Sequence, residues 1–148
     1  MSLANLLKIN KLQAHSPSKE AVQRLLEAAK RNLADAHIVS VSGENRFDAA
    51  YKCIMQCAMV ALWVNGYRTS TSQPGHHQTA IQTLPTTIGL PNSTVIILDS
   101  LRKQRNVSDY EGDPISDQAV IECIKQATQL YQSVLDWIRV NRAELNEA

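Results

Sequence analysis

The sequence predicts an all-α fold, an antiparallel up-and-down four-helix bundle with one or two short extra helices. Apolar residues recur at helical spacing through four long segments, and the stretches between these segments are rich in Gly, Pro, Ser and Thr. Few β-branched residues alternate with polar ones, so no strand is predicted. The 148 residues, 44% of them hydrophobic, suffice for one domain with one core.

Three regions are expected along the chain. Residues 1–15 form an N-terminal arm, residues 16–143 a single helical-bundle domain, and residues 144–148 a frayed tail. The arm mixes leucines with two lysines, a pattern that suits a short helix docked on the body of the protein or on a partner protein.

The first half of the domain contains two long helices. Ser16 followed by Pro17 is typical of a helix start, and the first helix is predicted over 16–37. The second helix, over 44–65, is apolar on almost all sides, which indicates a central position in the bundle. Its polar stripe consists of three residues spaced by four, namely Asp48, Lys52 and Gln56.

The second half contains one short helix and two long ones. The short helix is expected over 76–84, where Pro85 stops it. The third long helix runs over 93–108, and a break rich in Gly and Pro follows. Ser116 then caps the last long helix.

The bulk properties indicate a cytoplasmic protein that does not enter a membrane. The formal net charge is +1, so the chain as a whole lacks the positive charge typical of nucleic-acid-binding proteins. A local basic patch can still bind nucleic acid. The N-terminus lacks the pattern of a signal peptide. The most apolar segment, 49–64, is interrupted by Lys52 and Gln56 and is too short to span a bilayer comfortably.

No metal centre and no cofactor are predicted. Di-iron and di-manganese bundles need Glu-x-x-His pairs, and the chain contains none. Cys53, Cys57 and Cys123 all fall within apolar helical patterns without standard zinc spacing, and we interpret them as buried, reduced packing thiols.

The segment 98–110, LDSLRKQRNVSDY, is the best candidate for a functional site. Leu98, Leu101 and Arg105 stand on one helical stripe, so the apolar face ends in a cation that needs a partner or a cleft. A structural interpretation is an ion pair between Arg105 and Asp109 that closes the helix end. The functional interpretation is an anion site, because Arg binds phosphate with a planar fork while Asn and Tyr add an amide and a hydroxyl. The candidate residues of the segment are Arg102, Arg105, Asn106, Asp109 and Tyr110.

His76 and His77 are the remaining candidates. Neighbours on a helix point about 100° apart, so the two rings are not expected to bind one zinc ion together. Either one caps the junction between loop and helix while the other is exposed, or one of them lines the same cleft as Arg105.

Arg105-Asn106, near the end of the third long helix, resembles the signature of the HEPN superfamily, which comprises small, often dimeric helical domains of toxin–antitoxin, defence and nucleotidyltransferase-associated systems. The likeness includes 46–51 (RFDAAY), 66–68 (GYR) and 75–77 (GHH). This order is similar to a bacterial HEPN subgroup with an RN-x-x-DY segment, and the resemblance covers about residues 18–140. It implies an HEPN-like bundle, a homodimer, and an antitoxin or a nucleotidyltransferase as possible protein partner.

The resemblance also implies a chemistry. In ribonuclease members an Arg is followed, after four to six residues, by a His, and cleavage proceeds without metal through attack of the 2′-hydroxyl on the neighbouring phosphate. This chain has Tyr110 at the His position and no His after His77. A phenol with a pKa of about 10 is a poor base at pH 7.

These observations lead to a preferred expectation and two alternatives. The preferred one is an HEPN-like dimer that binds RNA, a nucleotide or a partner protein through 102–110 and lacks standard ribonuclease chemistry. The first alternative is an active, metal-independent endoribonuclease in which Arg105 acts with Tyr110, Asp109 or a histidine. The second is a purely structural interaction module whose arm, 3–12, docks another protein.

Overall fold

The structure is a computed structural model that describes residues 2–72 and 74–146, and it is mostly helical, as predicted. None of the described helices is long and apolar enough to cross a membrane. The elements, in chain order, are α1 (Leu3–Lys8), β1 (Leu12–Ala14), α2 (Lys19–Ala36), α3 (Gly43–Trp63), β2 (Tyr67–Thr69), α4 (His76–Gln82), α5 (Leu84–Ile88), α6 (Asn92–Glu111), α7 (Asp117–Asn141) and a 3-10 turn (Ala143–Leu145).

Helix α3 lies at the centre of the protein. It packs most extensively against α2 and α7, and it also contacts β2, α4, α5 and α6. Its apolar side chains are buried along its whole length, from Phe47 to Leu62. The prediction of a central helix is confirmed. In its polar stripe Asp48 and Lys52 are not buried, and Gln56 forms a hydrogen bond with Asn32 of α2.

The three thiols lie in this core. Cys53 and Cys57 on α3 and Cys123 on α7 are free and fully buried, as the sequence predicted. Burial raises the pKa of Cys123 well above its ordinary value. A side-chain hydrogen bond between Cys57 and Cys53, together with burial, raises the pKa of Cys57 in the same way. Cys57 and Cys123 therefore remain protonated thiols, and all three cysteines pack as small apolar side chains.

Serine caps begin three of the four long helices, α2, α3 and α7, whereas Pro91 precedes α6. The hydroxyls of Ser18, Ser42 and Ser116 each accept a hydrogen bond from the backbone N–H three residues on. The prediction that Ser16 and Pro17 start the first long helix is wrong by two residues. Ser18, not Ser16, is the N-cap of α2, because its backbone is extended and its hydroxyl oxygen accepts a hydrogen bond from the N–H of Ala21.

Pro85 begins a helix rather than only ending one. The short helix predicted over 76–84 is α4, which ends at Gln82, and α5, which was not predicted, follows with Pro85 in its first turn. Proline is suited to that position because the first turn has no intrahelical partner for the missing N–H. The third long helix is also longer than predicted, since α6 continues to Glu111, and Gly112 with φ of 72° ends it.

A two-stranded antiparallel sheet corrects the expectation of no strands. Leu12 pairs with Thr69 and Ala14 with Tyr67, so the N-terminal arm is joined to the segment after α3. Strands of three residues are too short to show alternation, and this pair is stabilised by its position on the core. Leu6 and Leu12 are both buried in the protein's own core.

The expected frayed tail is ordered up to residue 146. Leu145 is buried, and its carbonyl accepts a hydrogen bond from Nε2 of Gln23 at 2.7 Å. Arg142 donates to the carbonyl of Val64 at 2.6 Å, next to the end of α3. The apolar contact of one leucine and these two long-range bonds order a segment of polar composition. Residues 147–148 lie outside the described residues.

Candidate functional site

Helix α6 places the arginine stripe at a seam of the protein. Leu98 and Leu101 are the fully buried residues of α6, which is described throughout. Arg105 continues their stripe, and its side chain is 29% exposed. The helical spacing thus positions the guanidinium at the boundary between the core and solvent, as the sequence predicted.

Two carboxylates and one aromatic ring surround Arg105. Its Nε lies 2.9 Å from Oδ2 of Asp109 and 3.6 Å from Oδ1 of Asp48. The centre of the guanidinium stands 5.4 Å from the ring centroid of Tyr51 on α3, within the range of a cation–π contact. The ion pair with Asp109 is the one that the structural interpretation predicted.

The Nε–H of Arg105 nevertheless lacks a hydrogen bond. Nε is buried and finds no hydrogen-bond acceptor among the described residues, because its N–H is not directed at the nearby Asp109 oxygen. The contact between these side chains is therefore Coulombic. Nε thus has a nearby counter-charge but no aligned acceptor, and its N–H can donate to another oxygen that approaches it.

Arg102 supplies a second guanidinium one turn before Arg105. Its Nε donates to Oδ1 of Asp99 at 2.8 Å, and this hydrogen bond holds the pKa of Asp99 below its usual range. Lys103 lies 3.5 Å from the other oxygen of Asp99, but its side chain is mostly exposed. Asp99 thus holds Arg102 in place beside the cleft described next.

A cleft of about 240 Å³ separates α6 from the start of α4. Gly75, in a left-handed conformation with φ of 79°, turns the chain into α4 and brings both histidines to this cleft. The two imidazole rings are 4.7 Å apart and nearly perpendicular. The cleft is lined by Gly75, His76, His77, Gln78, Arg102, Arg105, Asn106 and Tyr110.

Tyr51 connects α3 to this cleft. Its hydroxyl is 3.4 Å from Nδ1 of His77. Burial raises the pKa of Tyr51 to about 12, although the charges of Arg105 and Arg102 oppose the change, so the phenol is neutral. Burial is the main cause that lowers the pKa of His77 below its ordinary value, and Coulombic interactions with His76, Arg105 and Arg102 act in the same direction. At pH 7 His77 is therefore a neutral imidazole beside two guanidinium groups.

The structure brings the sequence-predicted residues to one place. Arg102, Arg105, Asn106, His76, His77 and Tyr110 line one cleft, and Asp109 contacts Arg105 at its edge. Tyr110 stands at the rim, 84% exposed. The sequence left open whether a histidine lines the cleft of Arg105. In the structure both His76 and His77 line it. No metal-holding group of three His, Cys, Asp or Glu side chains occurs within 2–72 and 74–146.

Sequence reasoning did not assign Asp48 and Tyr51 to the site. Both come from α3, and the signal was present in the polar stripe of Asp48, Lys52 and Gln56 on an otherwise apolar helix. A polar stripe on a central helix marks the one side that faces something other than core. Arg46, from the segment RFDAAY at 46–51, has a structural role, since its Nε donates a hydrogen bond to the carbonyl of Ala36 at the end of α2.

A larger cleft of about 530 Å³ lies elsewhere, between α2 and α7. Its charged walls come from exposed side chains of both signs, and it contains no histidine or cysteine. The cleft of Arg105 is therefore the better candidate, because cations, imidazoles and an amide converge there. Comparison of the chain with protein-family models, with curated proteins and with solved structures gives no match.

Proposed function

We propose that the protein is an HEPN-like helical bundle, formed mainly by α2, α3, α6 and α7, that binds the phosphate of RNA or of a nucleotide in the cleft of Arg105. One observation carries this proposal. A half-buried arginine with an unpaired Nε–H shares a cleft with a second arginine, two histidines and an amide. Guanidinium groups bind phosphate through paired N–H donors, which suits them to this role.

The two carboxylates near Arg105 define how a phosphate would enter. Asp109 lies on the solvent side of α6 and is about two-fifths exposed, so its side chain is free to swing into water. Exposed ion pairs are worth only about 0–1 kcal/mol. A phosphate that replaces Asp109 therefore loses little and gains a doubly charged partner for Arg105. Asp48 of α3, 3.6 Å from Nε, remains as a second counter-charge to the guanidinium.

Arg105→Ala is expected to weaken binding of ribose 5-phosphate and of a short single-stranded RNA at least tenfold, because it removes the fork that holds the phosphate. Asp109→Asn is expected to strengthen binding severalfold by removing the competing carboxylate. Isothermal titration calorimetry at low salt measures both changes. Arg139→Ala on α7 is the matched control, since Arg139 is exposed and outside the cleft.

The proposal is wrong if Arg105→Ala keeps its helical circular dichroism and binds both ligands as tightly as the unchanged protein. An equal loss of affinity in Arg139→Ala would also contradict it, since it would indicate general attraction to positive charge rather than a phosphate site at Arg105.

Metal-independent ribonuclease activity is the second candidate function, and the position of His77 favours it. In the tautomer whose Nδ1–H donates to Tyr51, Nε2 is left to accept a proton. Nε2 would take the proton of the 2′-hydroxyl as its oxygen attacks the adjacent phosphorus. The bond to the 5′-oxygen then breaks, that oxygen gains a proton from His76 or from water, and a 2′,3′-cyclic phosphate forms. The histidines of α4 would thus replace the His that the RN-x-x-DY segment lacks.

Incubation of the protein with mixed-sequence RNA in EDTA tests this second function. Because the pKa of His77 is lowered, the rate is expected to rise with pH below about 6.5 and to level off above it, as the imidazole loses its proton. His77→Gln should reduce cleavage about a hundredfold, while Arg139→Ala should not change it. RNA that stays intact between pH 5 and 8 would exclude the ribonuclease function and leave phosphate binding as the only proposed function.

We further propose a cytoplasmic homodimer in which two copies of α6 face each other, with an antitoxin or a nucleotidyltransferase as protein partner. The outer face of α6 supports the dimer, since Ile96, Val107 and Tyr110 are exposed on one side of the helix. Light scattering that gives only the 16.4 kDa monomer at high protein concentration would contradict it.

A further inference from the structure

A second cleft lies on the other side of Arg105 and His77. It has a volume of about 250 Å³ and is formed by α3, together with those two residues. Tyr51, Met55 and Met59 make its apolar wall. Asp48, Lys52 and Gln56, the polar stripe of α3, form its rim.

The two clefts share a boundary and differ in chemistry. Arg105 and His77 line both of them. The first contains arginines, histidines and amides, whereas the second has the apolar wall of Tyr51, Met55 and Met59 below a polar rim. A ligand that fills both must therefore combine an anionic group with a flat or apolar group a few bonds away.

The sizes of the clefts point to one ligand rather than two. Pockets for small organic ligands usually measure about 300–1,000 Å³. Each cleft alone is below this range, at about 240 Å³ and about 250 Å³. Taken together they fall within it, which suits a molecule whose two parts occupy the two clefts.

The walls of the second cleft suit a nucleobase. Methionine sulfur makes favourable contacts with aromatic rings, and its flexible side chain adapts to rings of different shape. The rim offers hydrogen-bonding groups for the edge of a base. Gln56 is pre-oriented, because its Oε1 accepts a hydrogen bond from Asn32 of α2 at 2.8 Å, which leaves the amide NH₂ as the donor toward a ligand.

We propose that the cleft of Tyr51, Met55 and Met59 is a base-binding subsite, so that the protein holds one nucleotide with its phosphate at Arg105 and its base against the two methionines. This inference rests on the proposed phosphate site and adds the part of the ligand that the phosphate site does not define. Lys52 and Gln56, at the rim, select among bases, whereas the methionines accept any of them.

Calorimetric titration with ribose 5-phosphate and with the four ribonucleoside 5′-monophosphates tests this subsite. The tightest nucleotide is expected to bind about tenfold more tightly than ribose 5-phosphate, the effect of one stacked base. Met59→Ala should reduce that preference to about threefold or less and leave the affinity for ribose 5-phosphate unchanged. Met59→Leu keeps the volume of the wall and should preserve most of the preference, while Ile121→Ala, exposed on α7, is the control outside both clefts.

The outcomes separate this inference from the phosphate site. Equal affinities for ribose 5-phosphate and every nucleotide would overturn the base subsite and leave the phosphate site intact. A nucleotide preference that Met59→Ala does not change would place the base elsewhere and would also overturn it. Absence of binding for ribose 5-phosphate and nucleotides alike would reject the phosphate site itself.

Discussion

Leu12→Ala is expected to lower the free energy of unfolding by about 2–5 kcal/mol, the usual cost of removing a buried leucine side chain. Leu12 is 1% exposed and lies in β1, where it pairs with Thr69. The substitution leaves a cavity between the N-terminal arm and the core. Chemical denaturation in urea, followed by far-ultraviolet circular dichroism, measures the loss.

Leu7→Ala is the matched control for Leu12→Ala. Leu7 belongs to the same arm but is 37% exposed, and we expect a change below about 0.5 kcal/mol, as for most surface substitutions. The comparison also decides what the arm does. If Leu12→Ala or removal of residues 1–14 leaves stability unchanged, the arm is a docking segment for a partner and not part of the fold.

Leu98→Ala is expected to cost about 2–5 kcal/mol as well, and it should also weaken phosphate binding. Leu98 and Leu101 are the fully buried residues that attach α6 to the core, and Arg105 continues their stripe. Loss of one of them loosens the helix that positions the guanidinium. Against a typical total stability of about 5–15 kcal/mol, the change is large.

Ile96→Ala controls for the loss of an aliphatic side chain on the same helix. Ile96 is 70% exposed, so its removal should leave the denaturation midpoint and the affinity for ribose 5-phosphate nearly unchanged. Equal effects of Leu98→Ala and Ile96→Ala would contradict the conclusion that the buried stripe of α6 holds Arg105 in place.

The sequence predicted which residues share the face of α6 that carries Arg105, because that face depends on spacing along one helix. Leu98, Leu101 and Arg105 share a stripe in any α-helix, and Arg105 reaches Asp109 one turn on. The partners from α3 were not predicted as site residues. Which side of α3 meets α6 depends on how the two helices pack, and spacing within each helix does not contain that information.

Short elements were predicted poorly for a physical reason. The strands of Leu12–Ala14 and Tyr67–Thr69 are stabilised by pairing between distant segments, so neither shows a pattern by itself. The C-terminal turn is likewise ordered by Leu145 in the core and by long-range bonds from Gln23 and Arg142. Contacts between remote residues override weak local preferences.

The sequence alone determined the four long helices, the central place of α3, the burial of the thiols and the cation at the end of the apolar stripe of α6. All of these follow from helical periodicity and side-chain polarity. The tertiary structure alone decided that His77, Tyr51 and Asp48 meet Arg105, and that two clefts lie on its two sides. Convergence of side chains from three helices is a property of packing, which no single segment encodes.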